Sequence, residues 1–399
     1  MQNFSRDYSY YKKLFRDAPK PFAFVDLDLF EENIRQVKRR AGEKSIRVAT
    51  KSIRCRSLVK KILDDDSQFI GLMCYSADEA VFLSRNGFDD ILVAYPFWDD
   101  GQIEAIIGEL KKGKTIVQMI DCEAHVERID AIAQKFQITV RVCMDVDMSS
   151  DFPGLHFGAW RSGIRDTESA LRVFEKIAAA KCVALYGIMG YEGQIAGVGD
   201  NVTGQALKNV AVRLLKKRSI RELRRRRGEV VAALRKQATG LRFVNAGGTG
   251  SLESSAQEEW VTEVTAGSGF FSPVLFDYYQ NFRHLPAAAF AIEITRNPKK
   301  NIYTCLGGGY VASGPAGVDR LPQPYLPAGA KLVKTEGAGE VQTPIVYRGA
   351  EKLAIGDPVF MRHAKAGELC ERFEKLYLVS GGKIIDEAPT YRGEGKCFL

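Results

Sequence analysis

Between residues 46 and 269, short apolar runs alternate with polar stretches of helical periodicity. The apolar runs fall at 46–50, 69–74, 91–94, 115–120, 138–145, 183–189, 241–244 and 261–265. The helical stretches include 56–66, 76–86, 100–112, 123–135 and 167–180. Strands that read as nearly continuous apolar runs, separated by helices, are expected to be parallel and covered on both faces. Eight of them over roughly 220 residues predict an α/β fold, a closed (β/α)8 TIM barrel, rather than an open doubly wound sheet. No GxGxxG opens the unit, which counts against a dinucleotide-binding fold. A further strand–helix pair precedes the count, at 22–27 and 29–40. It is one strand too many for the barrel, so its strand is expected to pair elsewhere.

Beyond about residue 280 the helical period fades. Short alternating runs at 290–295, 302–306, 331–335, 344–347, 358–363, 375–379 and 383–386 are closely punctuated by Gly and Pro. They predict an all-β C-terminal domain. The expected division is a barrel domain over 22–280 and a β domain over 281–399 together with 1–21.

Composition changes this picture little. The chain has 399 residues, 45% hydrophobic and 27% charged, which is ordinary for a globular protein. No apolar run approaches the ~18–20 residues that span a bilayer. The N-terminus, MQNFSRDYSYYKKLF, lacks the apolar segment of a signal peptide. A cytoplasmic protein with no membrane association is expected. The eight cysteines are scattered without CxxC or zinc-finger spacing, which predicts reduced thiols. The net charge of +8 is concentrated: residues 208–236 alone carry +10, and the remainder is slightly acidic. Ala206, Leu207, Val210, Leu214, Leu215, Leu223, Val230, Val231 and Leu234 recur there at helical spacing. The expectation is a long amphipathic helix with a solvated basic face, and no nucleic-acid partner, because no aromatic residues interleave for base stacking.

The candidate chemistry begins at Lys51, which directly follows the first apolar run. A lysine buried at a strand end loses hydration and becomes a neutral nucleophile near neutral pH. The stretches Asn245-Ala-Gly-Gly-Thr-Gly250 and Ala266-Gly-Ser-Gly269 follow the seventh and eighth strands, where barrels commonly hold phosphate. Gly247, Gly248, Gly250 and Gly267 let backbone N–H groups approach a phosphate, and Thr249 and Ser268 add hydroxyls. Strand 1 neighbours strand 8 in a closed barrel. An amine within reach of a phosphate-bearing aldehyde is the arrangement that pyridoxal 5'-phosphate requires.

The segments PFAFVDLDLFEENI, RVATKS, GIMGYEGQ, VNAGGTG and EVTAGSGFFSPVLFDYY, in this order, resemble the fold-type III pyridoxal-phosphate enzymes. These are the alanine racemase-like barrel proteins, and the similarity is greatest to the D-threonine aldolase and D-serine dehydratase branch. The resemblance spans roughly residues 20 to 380. It implies an alanine racemase-like N-terminal barrel with a C-terminal β domain to which the extra strand contributes, and a homodimer. Lys51 then matches the Schiff-base lysine. Arg161, in Trp160-Arg-Ser-Gly163, matches an arginine near the cofactor phenolic oxygen, and Tyr191 and Gln194 would line the pocket. Thr265 stands where alanine racemases carry an arginine against the pyridine nitrogen. A neutral hydroxyl there leans toward the aldolase and dehydratase branch.

The pattern breaks at the metal site that the resemblance implies. Members of this branch present His-x-Asp or His-x-Cys, whereas this sequence reads Arg362-His363-Ala-Lys365, with Cys370 beyond. His363 matches the histidine. An ammonium at Lys365 has no lone pair for a metal. Either Cys370 or Glu368 supplies a ligand from a reshaped loop, or the divalent ion is lost and Lys365 takes over its charge. Metal loss is the expectation. The implied activity is a lyase acting on β-hydroxy-α-amino acids, with Lys51, His363 and Tyr191 as its catalytic residues. A D-serine dehydratase-like deaminase, an amino-acid racemase and a non-catalytic pyridoxal-phosphate carrier are the alternatives.

Overall fold

The computed structural model describes residues 6–315, 317–365 and 367–398. The chain divides into two compact units. One comprises residues 37–51, 60–267 and Phe398, and is the barrel. Its strands are β1 (Ser45–Ala49), β2 (Phe69–Cys74), β3 (Ile91–Val93), β4 (Ile116–Ile120), β5 (Val140–Asp145), β6 (Val183–Gly190), β7 (Phe243–Ala246) and β8 (Glu263–Ala266). They pair in sequence order, all parallel, and β8 closes on β1 with Val264 opposite Ile46 and Ala266 opposite Val48. All eight coincide with the apolar runs, shifted by at most two or three residues at their ends.

The strands are apolar because both faces are covered. Outward residues such as Ile120, Val142, Met144, Leu185 and Val244 pack against Ile103, Val126, Val173 and Val230 of the surrounding helices. Inward residues Leu92, Val117, Met119, Cys143, Met189 and Phe243 fill the interior. The interior is not wholly apolar. Arg47, 2% exposed, donates to the Glu263 carboxylate at 2.7 and 2.9 Å and to the Asp90 carbonyl at 2.8 Å. Gly71 makes room for it, since a Cβ there would lie 2.9 Å from the guanidinium.

The other unit comprises residues 6–36, 52–59 and 268–397, and is built on a nine-stranded sheet. The extra strand, Phe22–Asp26, pairs antiparallel with Ala288–Lys299 and parallel with Lys375–Ser380. Tyr8, Tyr11, Phe15, Phe22, Phe24 and Phe360 form an aromatic cluster on this sheet. Among the described residues no helix is long and apolar enough to cross a membrane, and no cysteine is in a disulfide.

Candidate active site

Parallel closure puts the C-terminal ends of all eight strands at one end of the barrel, and four side chains meet there. Lys51 lies in the single 3-10 turn after β1 (Thr50–Ser52) and is exposed, not buried as its strand-end position led us to expect. Its Nζ is 3.5 Å from the hydroxyl of Tyr95, two residues beyond β3. The Arg161 guanidinium stacks over the Tyr95 ring at 4.7 Å and lies 5.9 Å from the Tyr191 ring. Arg161 is itself held from below: Nε donates to Asp145 at the end of β5 at 3.0 Å, and Nη2 to the Ala94 carbonyl at 2.8 Å.

These contacts sort the ionisation of the group. Burial works against ionising Tyr95, but Lys51 and Arg161 outweigh it, and the phenol's pKa lies below its usual value. For Tyr191 the balance is reversed: burial, then the neighbouring Tyr95, outweighs Arg161 and pushes it up to about 12. Burial raises the Asp145 carboxyl to about 6 despite its pairing with Arg161. The two phenols are thus shifted in opposite directions. Tyr95 and Asp145 went unremarked in the sequence, because neither sits in a recognisable motif.

The turn at 247–250 follows β7 and packs against Tyr191. Gly247 has φ +86°, in the left-handed region that favours glycine. A Cβ at Gly248 would come within 3.0 Å of Ala196 Cβ and 3.1 Å of the Tyr191 ring, and one at Gly193 within 3.1 Å of the other edge of that ring. Tyr191 therefore sits between two glycines that cannot be enlarged without moving it. Thr249 is buried, and its carbonyl accepts from Arg40 at 2.6 Å. The Gly248 N–H donates to Ser251 Oγ at 3.1 Å, and Ser251 Oγ donates to Glu192 at 2.9 Å. Ser255 also donates to Glu192. Thr265, near the end of β8, exchanges hydrogen bonds with Asn245 at 2.9 and 3.1 Å, and Asn245 donates to Glu263 at 2.8 Å. A buried chain Arg47–Glu263–Asn245–Thr265 thus fixes the hydroxyl that the resemblance sets against a pyridine nitrogen. Gln194 is buried, and its amide nitrogen is committed to the Met148 carbonyl at 2.6 Å and Ser219 Oγ at 2.9 Å. Gly267 ends the barrel unit, while Ser268 opens the short helix Ser268–Phe271 of the other unit.

The long helix is present as Ala206–Arg235, but its faces are not those expected. Leu207 is 89% and Leu214 64% exposed, whereas Asn209, Lys216, Ser219 and Arg227 are buried. The reason is hydrogen bonding. Asn209 pairs with both backbone groups of Val202, Lys216 with Asp200 at 2.8 Å, and Ser219 with Ser150 at 2.7 Å. Arg226 donates to the carbonyls of Asp147 and Ser149, in the segment that leads to Arg161. Arg227, 1% exposed, bridges Glu192 and Glu258 and donates to the Gly190 carbonyl at the end of β6. Part of the basic run is therefore internal scaffolding for the loops at this end of the barrel.

In the β-sheet unit, His363 directly follows the strand Pro358–Arg362 and is 1% exposed. Neither ring nitrogen has a hydrogen-bond partner, and the Phe271 ring meets it edge-on at 6.3 Å. Burial, then Arg362, pushes its pKa down to about 3. Cys370 is fully buried, which raises its thiol well above the usual range. Among the described residues, the one group of three or more metal-ligating side chains includes neither His363 nor Cys370.

The family model described as alanine racemase, N-terminal domain, matches residues 25–272. Two curated proteins of Paracoccus denitrificans, both named 3-hydroxy-D-aspartate aldolase, are 25% identical over 252 residues and 26% over 254. Each alignment covers 63% of this chain and 60% of the relative, so the chain spans about 60% of the length of the curated relatives it matches. Among solved structures, D-threonine aldolase from Filomicrobium marinum superposes with a TM-score of 0.77 at 17% identity, covering 94% of this chain and 96% of that one. D-threo-3-hydroxyaspartate dehydratase from Delftia sp. HT23 gives 0.73 at 17% identity, covering 96% and 99%. At these identities the structural likeness establishes the fold.

Proposed function

The chain belongs to the alanine racemase N-terminal domain family, and from that premise we propose that it is a pyridoxal-phosphate-dependent lyase of β-hydroxy-α-amino acids. The reading is an aldolase of the D series, which releases glycine and an aldehyde. The cluster of Lys51, Tyr95, Arg161 and Tyr191 at the C-terminal end of the barrel carries it. These residues fit the cofactor. An amine is available for its aldehyde, a guanidinium for its phenolic oxygen, and a glycine turn, closed against Tyr191 so that a Cβ would clash, for its phosphate. Bound there, the cofactor supplies an electron sink for the pair left when a bond to Cα breaks.

The protein's own groups must then place protons. Aldol cleavage removes a proton from the β-hydroxyl and returns one to Cα. Lys51 Nζ and Tyr95 Oη, 3.5 Å apart, form a pair between which a proton can pass, and the lowered phenol pKa brings Tyr95 toward the working range of a base. Tyr191, held protonated, acts as a donor and as a wall. His363, neutral and a weak base at a pKa of about 3, is assigned to accept a hydrogen bond from the β-hydroxyl rather than to remove its proton. Two relatives are named for 3-hydroxy-D-aspartate, which makes that compound and D-threonine the first substrates to try. A cytoplasmic homodimer without a metal in the β-sheet unit completes the proposal.

The test is the visible spectrum of the purified protein before and after borohydride, beside Lys51→Ala, followed by product analysis. Glycine and aldehyde from a D-β-hydroxy amino acid, with neither band nor turnover in Lys51→Ala, are expected. A keto acid and ammonia would replace the aldolase with a dehydratase. Turnover retained in Lys51→Ala would remove the assignment altogether.

A further inference from the structure

A second cluster on the barrel has no part in this chemistry. Asp121 directly follows β4, and Cys122 is the N-cap of the helix Glu123–Phe136, which carries His125 in its first turn. The three donors converge: His125 Nδ1 is 3.1 Å from Asp121 Oδ1 and 3.3 Å from Cys122 Sγ, and all three ligand atoms lie within 4.8 Å of one another. Metal–ligand bonds of ~2.0 Å to nitrogen or oxygen and ~2.3 Å to sulfur, at tetrahedral angles, put ligand atoms about 3.3–3.5 Å apart. The two spacings from His125 Nδ1 lie close to this range.

The amide and the carboxylate of Asp121 both converge on His125 Nδ1. The Asp121 backbone N–H points at the same Nδ1 at 3.3 Å. If Nδ1 carries a proton, that N–H faces another donor. If it does not, its lone pair accepts from that N–H, and the Asp121 carboxylate receives no proton from the ring. Cys122, although at the N-cap, makes no capping hydrogen bond with its side chain and turns its sulfur to the imidazole. A divalent ion would take the carboxylate, the thiolate and the imidazole lone pair together, displacing the Asp121 N–H from Nδ1. The nearby cation Arg128 is occupied, paired with Asp100 at 2.6 Å and lying over Trp98.

We infer that Asp121, Cys122 and His125 form a binding site for a zinc-class divalent cation. A sulfur–nitrogen–oxygen donor set selects such an ion over magnesium or calcium. Three protein ligands, with the Asp121 and His125 side chains 20% and 18% exposed, leave a fourth position for water or a substrate oxygen. Binding releases the thiol proton to solvent. The site lies at the same end of the barrel as Lys51, and the Asp121 charge already acts on Asp145, the partner of Arg161. It stands independently of the lyase reading.

The test is cobalt(II) titration of the chelator-treated full-length protein, read in the d–d region beyond any cofactor absorption, with zinc competition and elemental analysis. One equivalent of tetrahedral, thiolate-bound cobalt is expected, displaced by zinc. Affinity should fall at least tenfold in both Cys122→Ser and His125→Gln, and stay unchanged in Cys397→Ser and His363→Leu. Thermal melts show that each variant is folded, and His125→Gln carries the test if Cys122→Ser is not. Wild type that binds no cobalt, bands that persist in Cys122→Ser and His125→Gln, or bands lost in His363→Leu instead would each overturn the site.

Discussion

Replacing Arg227 with methionine tests whether the long basic helix is a solvated surface or part of the scaffold. The side chain is 1% exposed and sits between two carboxylates, Glu192 at 2% and Glu258 at 5% exposure. Methionine fills much of the volume but leaves both carboxylates without their cation. Removing one partner of a buried ion pair costs about 3–5 kcal/mol. Ser251 and Ser255 still donate to Glu192, so the uncompensated charge falls mainly on Glu258, whose carboxyl burial already holds above its ordinary range. The loss must depend on pH. In the variant the folded state binds a proton on Glu258 more tightly than the unfolded chain does, so its stability falls as pH rises. The deficit against wild type should be largest at pH 7–8 and should shrink toward pH 5 as Glu258 becomes protonated.

The three tryptophans, Trp98, Trp160 and Trp260, all lie in the barrel unit. Urea unfolding followed by their fluorescence therefore reads the unit that the substitution affects. The control is Arg225→Met on the same helix. Arg225 is 66% exposed and pairs with Glu229 one turn on, an arrangement worth at most ~0.5 kcal/mol. A loss below about 1 kcal/mol in Arg227→Met, far under that expected of a broken buried pair, would refute the reasoning. So would a loss equal to that of Arg225→Met, or one independent of pH.

Four further outcomes are expected. Tyr95→Phe should keep the cofactor band and lower kcat by about 10²–10⁴-fold if the phenol moves a proton. The rise of kcat/KM through the lowered phenol pKa should vanish with it; an unchanged pH profile would leave Tyr95 a packing residue. Gly248→Ala forces a Cβ against Ala196 and the Tyr191 ring; about a tenfold or greater loss of pyridoxal-phosphate affinity by equilibrium dialysis is expected, at an overpacking cost of about 1–3 kcal/mol. His363 has a folded pKa far below its unfolded value, so the folded state resists its protonation and stability drops as pH falls from the unfolded pKa of ~6.5 toward about 3. His363→Leu should therefore unfold at lower pH than wild type in an acid titration followed by near-UV circular dichroism, while its turnover falls. Thr265→Val removes the hydroxyl that Asn245 holds and should weaken turnover more than it weakens the cofactor band.

The barrel was legible in the sequence because its strands are buried on both faces. Each shows as an apolar run without needing knowledge of its neighbours, and the glycine turns mark where β7 and β8 end. Lys51, Arg161 and Tyr191 carried a resemblance, and the barrel brings all three to Tyr95. Tyr95 itself was not legible. It follows a three-residue strand in the sequence Tyr-Pro-Phe, and only closure of the barrel carries it to Lys51 and Arg161. The cluster at Asp121, Cys122 and His125 lies within five residues, but its spacing matches no common metal motif. Its convergence depends on the helix starting immediately after β4. The long helix was misread for a different reason. Periodicity assumes that buried positions are apolar, and in its first half Asn209, Lys216 and Ser219 are buried beside a single apolar residue, Val212.

The polar residues that a periodicity reading sends to solvent do much of the positioning. Beneath the site, Arg47 anchors Glu263, which through Asn245 fixes the Thr265 hydroxyl. Beside it, Arg227 anchors Glu192, which through Ser251 holds the Gly248 N–H and so the glycine turn against Tyr191. Both chains run from a buried arginine through a buried carboxylate to a group at the C-terminal end of a strand. Directional bonds in a low-dielectric interior specify orientation more narrowly than apolar packing does, at the risk that losing one member strands a charge. A site whose groups must lie within a fraction of an ångström of their working positions gains from that exchange. The same logic explains why Arg226 and Arg227, adjacent in a run of four arginines, are the two whose side chains turn inward: one holds the segment that leads to Arg161, the other the end of β6 and the loop that follows it.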